Sequence, residues 1–126
     1  MNKEIIFTDK APQAIGPYSQ AVKSGSLIFL SGQIPINPQT GELETANVAV
    51  ETHRVMKNIL AVLEAAGYTL DDVVKTTIFL TSMSHFQTVN EVYASYFSGN
   101  FPARETVAVA GLPRNVNVEI SMIASK

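Results

Sequence analysis

Leu27-Ile28-Phe29-Leu30 and Ile78-Phe79-Leu80 are apolar at every position, the pattern of strands hidden on both faces. A sheet buried in this way needs a covering layer on each side. The helical periodicity of the chain supplies two helices, enough for one face of a sheet of about six strands. Cover for the other face has to come from outside the chain, so the expectation is a homo-oligomer whose sheets pack on one another. Clefts between such subunits are concave, apolar and lined from two chains, which makes them natural small-molecule sites.

The elements follow from local pattern. Strands are expected at Glu4 to Thr8, Tyr18 to Lys23 and Leu27 to Ile34, the last two joined as a hairpin across Ser24-Gly25-Ser26. Val48, Thr52, Val55, Ile59, Val62 and Ala66 recur at helical spacing, which predicts a first helix from near Asn47 to Ala66, with Asn47 as N-cap and Gly67 just past the end. Val73 to Thr81 is rich in β-branched residues and reads as a strand. Ser84-His85-Phe86-Gln87 has the form of a capping box and predicts a second helix over Ser84 to Ser98. Glu105 to Val109 and Val116 to Ala124 close the chain as two neighbouring strands joined through the turn Leu112-Pro113-Arg114-Asn115. In the last strand Val116, Val118, Ile120, Met122 and Ala124 share one face, so Asn117, Glu119 and Ser121 look the other way. No repeat, linker or low-complexity tract appears, and residues 1–126 read as one domain of an α+β mixed sheet with both helices on one face.

Composition narrows the chemistry. With a formal charge of -2 and 16% charged residues the chain lacks the basic excess of a nucleic-acid binder. No apolar run approaches the ~18 residues needed to span a bilayer, and Met1-Asn2-Lys3-Glu4 leads into a strand rather than a signal peptide, so the expected location is the cytoplasm with no membrane partner. Cysteine is absent and there are 2 histidines, His53 and His85, both read as surface residues without a role. The expectation is therefore chemistry by oxygen, nitrogen and backbone groups, with no metal and no cofactor.

Arg104 and Glu119 are the residues on which such chemistry centres. The guanidinium of Arg104 offers a planar fork of donors that matches a carboxylate in bidentate fashion. Glu119, expected beside it on the next strand, is a suitable group to orient a water molecule or take its proton, so a small anion and a water could be held side by side. The bland reading is a surface pair of Arg104 with Glu119 or Glu105. Asn90 stands in a stripe with Phe86, Tyr93 and Phe97, where a polar residue needs partners, either in the core or on a ligand.

Six segments, in order over nearly the whole length, carry a resemblance: Ala11-Pro12-Gln13-Ala14-Ile15-Gly16-Pro17-Tyr18-Ser19-Gln20, Ser31-Gly32-Gln33-Ile34-Pro35, Val74-Lys75-Thr76-Thr77-Ile78-Phe79, Val89-Asn90-Glu91-Val92-Tyr93, Pro102-Ala103-Arg104, and Leu112-Pro113 with Val118-Glu119-Ile120. The chain resembles the reactive-intermediate deaminase (RidA/YjgF) family. The resemblance implies a chorismate-mutase-like homotrimer with sites between subunits. It also implies a 2-iminobutanoate/2-iminopropanoate deaminase, which hydrolyses reactive enamines and imines such as 2-aminoacrylate to 2-keto acids and ammonia without a cofactor. By motif, Arg104 would bind the substrate, Glu119 would position water, and Tyr18, Ser31, Asn90 and Thr106 would complete the site. The chain departs from the usual pattern at Glu105, Thr106 and Ser121, where many members carry a small residue, cysteine and a second glutamate. The leading expectation is an enzyme that clears intermediates released by pyridoxal-phosphate enzymes. The competing expectation is a non-enzymatic module that binds a 2-keto acid or similar metabolite and regulates a partner. A role on RNA ranks low for an acidic chain without a basic or aromatic strip.

Overall fold

The computed structural model describes residues 3–126. Six strands, β1 (Lys3–Ile6), β2 (Ala21–Ser24), β3 (Leu27–Gln33), β4 (Val73–Leu80), β5 (Ala103–Ala108) and β6 (Val118–Ser125), form one mixed sheet in the order β1-β2-β3-β6-β4-β5. Helix α1 (Val48–Ala65) connects β3 to β4, and α2 (Phe86–Ala94) connects β4 to β5. No described helix is long and apolar enough to cross a membrane.

α1 forms where the apolar spacing requires it. The Asn47 side chain accepts from the Val50 N–H at 2.9 Å, and Gly67 follows the C-cap with φ 82, a conformation that glycine takes without a Cβ penalty. The helix buries Val55, Met56, Ile59, Val62 and Leu63 against Ile28 and Leu30 of β3, Ile78 and Leu80 of β4, and the alternate residues Val118, Ile120, Met122 and Ala124 of β6. Each such side chain contributes about 1.5–3 kcal/mol by leaving water.

Three expectations are corrected. β5 and β6 are not neighbours: β4 lies between them, paired with β5 in parallel and with β6 antiparallel. The α1 crossover leaves a gap between β3 and β4, and β6 fills it, because only there are both of its edges paired and its apolar side placed under α1. The second helix is shorter than expected. Met83–His85 form a 3-10 turn capped by Ser82, whose Oγ accepts from the Ser84 N–H at 3.1 Å and also bonds the Ser84 hydroxyl at 2.8 Å, so Ser84 is drawn away from the capping box. Tyr18 precedes β2 in irregular backbone rather than starting the strand.

Both helices lie on one face of the sheet, α1 over β3 and β6 and α2 with its Tyr93 hydroxyl on Thr76 of β4. The other face is open and apolar along a row that crosses four strands: Ile5 faces Val22, Val22 faces Phe29, and Phe29 faces Ile123. Phe29 keeps 42% of its surface exposed and Ile5 53%, an apolar expanse of the sort that marks an association surface.

Glu51 pins the central strand. The residue is 0% exposed in the first turn of α1, and its carboxylate accepts from the Asn117 N–H and from Asn117 Nδ2, each at 2.8 Å. Asn117 in turn accepts from the Thr81 hydroxyl at 2.7 Å and from the Thr81 N–H at 3.2 Å, which ties the end of β4 to the start of β6. Removing the carboxylate strands both donors of Asn117. Glu51→Ala is expected to lower the unfolding free energy by about 2–4 kcal/mol in urea titrations, and a loss under about 0.5 kcal/mol would exclude the clamp as a stabilising element.

Candidate functional site

Two concavities hold the residues singled out from the sequence apart from Thr106, and they lie on different sides of the sheet. Arg104 stands on β5 opposite Thr76, which stands opposite the buried Met122, so Arg104 belongs to the helix-covered face. Glu119 stands opposite Phe79, and Phe79 opposite Val107, on the open face. The expectation that the two would sit side by side on adjacent strands is therefore corrected: within one chain a strand separates them and they point to opposite faces.

On the covered side the guanidinium of Arg104 is held from three directions. Its Nη1 donates to Asn90 Oδ1 at 2.7 Å, and its central carbon lies 5.3 Å from the Tyr93 ring and 5.8 Å from the Phe86 ring. The stripe of α2 thus serves the arginine, and Asn90 resolves its own need for a partner by orienting it. Tyr93 is locked in turn by donating to Thr76 Oγ1 at 2.9 Å, and its hydroxyl pKa is raised by burial. Asn90, Tyr93, Ala94, Phe101, Pro102 and Arg104 line a cavity of about 410 Å³. Thr106, two residues beyond Arg104 on the same face of β5, has a buried hydroxyl with no hydrogen bond among the described residues, and it lines neither cavity.

Glu105 alternates to the open face, as expected. There it accepts from the Thr77 hydroxyl at 2.8 Å and pairs with Lys75 at 3.1 Å, and these two contacts, Thr77 first, hold its pKa below the ordinary value. The bland pairing of Arg104 with either glutamate does not form among the described residues.

The second concavity, about 620 Å³, is lined by Tyr18, Ser31, Gly32, Pro113, Arg114 and Glu119 among others. Gln20 builds its wall: the buried amide donates to the carbonyls of Thr8, Ala11 and Pro12 and accepts from the Thr8 N–H, which folds the segment before β2 over the sheet. Ser31 donates its hydroxyl to the Ser19 carbonyl, so its lone pairs rather than its proton are available to a ligand. Arg114 and Asn115 both adopt left-handed backbone, φ 55 and φ 60, in the turn that brings the chain to β6. Two successive non-glycine residues in this region carry strain of the kind found beside binding sites. Reading the sequence missed Arg114 and Gly32 as lining residues; the turn motif signalled a bend, but not what it would face.

Glu119 is half-buried, and no hydrogen bond reaches its carboxylate among the described residues. Burial alone raises its pKa above 4.5. Burial thus favours the protonated form and makes the carboxylate a stronger base than a solvated glutamate.

Comparison with known proteins places these features in a family context. Residues 8–126 match the family model described as Endoribonuclease L-PSP. A RutC family protein of Saccharolobus solfataricus is 56% identical over 124 residues, covering 98% of each chain. A 2-iminobutanoate/2-iminopropanoate deaminase of Mus musculus is 48% identical over 122 residues, covering 97% of this chain and 90% of the relative. Among solved structures, E. coli TdcF with bound serine superposes with a TM-score of 0.94 at 44% identity, covering 98% of both chains.

The raised pKa of Glu119 has a consequence for stability. Folding favours the protonated carboxyl, so the charged form weakens the fold above the folded-state pKa, and this cost vanishes below the ordinary value of 4.5. Glu119→Gln should raise the melting temperature at pH 7 by less than about 4 °C, with no gain left below the unfolded-state pKa; thermal scans across pH in which the variant is destabilised at neutral pH would contradict this.

Proposed function

The chain belongs to the RidA/YjgF family, covered by the L-PSP family model over residues 8–126, and from that premise we propose that it hydrolyses 2-imino acids and their enamine tautomers to 2-keto acids and ammonia. The observation that carries the reading is the half-buried carboxylate of Glu119, without a hydrogen-bond partner among the described residues, in a cavity that a small molecule can enter. A relative named as a 2-iminobutanoate/2-iminopropanoate deaminase, 48% identical over 122 residues, supports the substrate class.

In this reading Arg104 binds the substrate carboxylate through the part of its fork that Asn90 leaves free, and the Tyr93 and Phe86 rings keep the guanidinium in place. Thr106, two positions along the same face of β5, has an unused hydroxyl. Water attacks the C=N carbon while Glu119 takes its proton and passes one to nitrogen. The tetrahedral amino alcohol then collapses, the C–N bond breaks, and ammonia leaves a 2-keto acid. An enamine such as 2-aminoacrylate enters after protonation of its terminal carbon, which gives the imine. Tyr18 and Ser31 line the Glu119 side of the pocket.

Because Arg104 and Glu119 leave opposite faces of the sheet, one chain holds two incomplete halves. The reading therefore includes a homotrimer in which the Arg104 half of one subunit meets the Glu119 half of the next. Support comes from β5 being an edge strand and from the exposed apolar row of Ile5 and Phe29 on the open face. The competing reading, a metabolite-binding regulatory module, uses Arg104 in the same way and gives Glu119 no chemical task.

Trapping of freshly generated 2-iminopropanoate by semicarbazide separates them. Wild type should suppress the trapped product, Arg104→Ala should lose both suppression and 2-keto acid binding, and Glu119→Gln should keep binding while the rate falls about 100-fold or more. No suppression by wild type, with binding intact, would favour the regulatory module. Shared sites make a second prediction: refolding the two inactive variants together should restore about a quarter of the wild-type rate by random assortment, at a mass three times the 13.6 kDa chain. A mixture that stays inactive would put both residues in one subunit's site.

A further inference from the structure

Strand β3 leaves regular pairing with β6 at one place. Leu30 faces Met122 and Gln33 faces Ile120, so Ser31 and Gly32 together stand opposite Ser121. Two residues against one is a β-bulge, a device that re-aims side chains next to active sites. The second bulge residue is a glycine, yet its φ is not among the positive values of this chain. Any L-residue can adopt that backbone, so conformational freedom does not account for the glycine.

Space does. A Cβ built on Gly32 would stand 2.2 Å from Oε2 of Glu119, 2.8 Å from its Cδ and 3.0 Å from its Cγ. Separations below 3.0 Å are essentially never seen for a real Cβ, so one of the two groups would have to move. Glu119 is the one free to do so, since its carboxylate is held by no hydrogen bond among the described residues and a glutamate side chain has several rotatable bonds. The carboxyl group thus lies against the bulge, in the volume that a side chain at 32 would fill. The same contact keeps water off one side of the carboxylate, in accord with the burial that raises its pKa.

We propose that Gly32 is a positioning residue: the missing Cβ in the β3 bulge is what seats the Glu119 carboxylate against the strand and aims it into the cavity shared with Tyr18 and Ser31. A methyl group there turns the carboxylate outward, away from the water it activates. The kinetic part of this inference rests on hydrolysis at Glu119; the seating itself does not.

Four proteins test it: wild type, Gly32→Ala, Glu119→Ala and the double variant, read by kcat and KM for 2-iminopropanoate and by a ¹³C NMR titration of the Glu119 side-chain carboxyl. Gly32→Ala should lower kcat about 10- to 100-fold, the scale of a displacement of roughly 1 Å in a catalytic group, with KM changed less than about 3-fold. Its Glu119 carboxyl should titrate at lower pH than in wild type. In the Glu119→Ala background the added methyl should change kcat less than about 2-fold, because the group it acts through is gone. An unchanged titration, or the same fractional loss of kcat in both backgrounds, overturns the proposal. A wild type that accelerates no imine hydrolysis removes the functional reading instead, and the titration still decides the seating. Should Gly32→Ala fail to fold, a folded double variant would identify Glu119 as the atom set in conflict, whereas two unfolded variants would overturn the inference.

Discussion

Glu51 takes a carboxylate into the interior, where an unpaired acid would be costly, and the register of β6 is what satisfies it. Both donors come from Asn117, one from the backbone and one from the side chain, so the contact fixes a residue and its orientation at once. Glu119 follows two positions later. A slip of one residue in β6 would send Val118, Ile120 and Met122 to the open face and bring Glu119 under α1. The clamp thus sets which way the carboxylate of the candidate site looks, although it lies on the other side of the sheet from it.

The site residues inherit their character from the layers. On the covered face, aromatic rings of α2 are available, and Arg104 is caged by Tyr93 and Phe86 while the Asn90 oxygen accepts from one of its N–H groups. On the open face no helix packs, and the bulge of β3 gives Glu119 a niche in its own sheet. One group is fixed by many contacts and the other by almost none, which suits an anchor for a substrate and a group that must gain and lose a proton.

Helix α1 was legible because cap, spacing and stop signal agree: Asn47, the Val55-Ile59-Val62 stripe and Gly67. The strict alternation of β6 gave its buried side correctly. A period of two says nothing about partners, however, and the insertion of β6 between β3 and β4 depends on the gap that the α1 crossover leaves, a tertiary fact. The same blindness made Arg104 and Glu119 look adjacent: the faces within each strand were readable, but not the strand between them. Ser84 misled for a local reason, since a serine two residues earlier competes for its hydroxyl. Gly32 carried a signal that sequence alone cannot rank, because a glycine needed for space looks like a glycine needed for φ.

β6 is the last of the six strands to leave the ribosome and the one that occupies the middle of the sheet between β3 and β4. Until it emerges, the nascent chain consists of a β1-β2-β3 meander and a parallel β4-β5 pair with facing edges unpaired. Neither fragment can pair the edges of β3 and β4 that face the gap, so the sheet closes only once the β6 segment has been made, and those edges are open to wrong pairing until then.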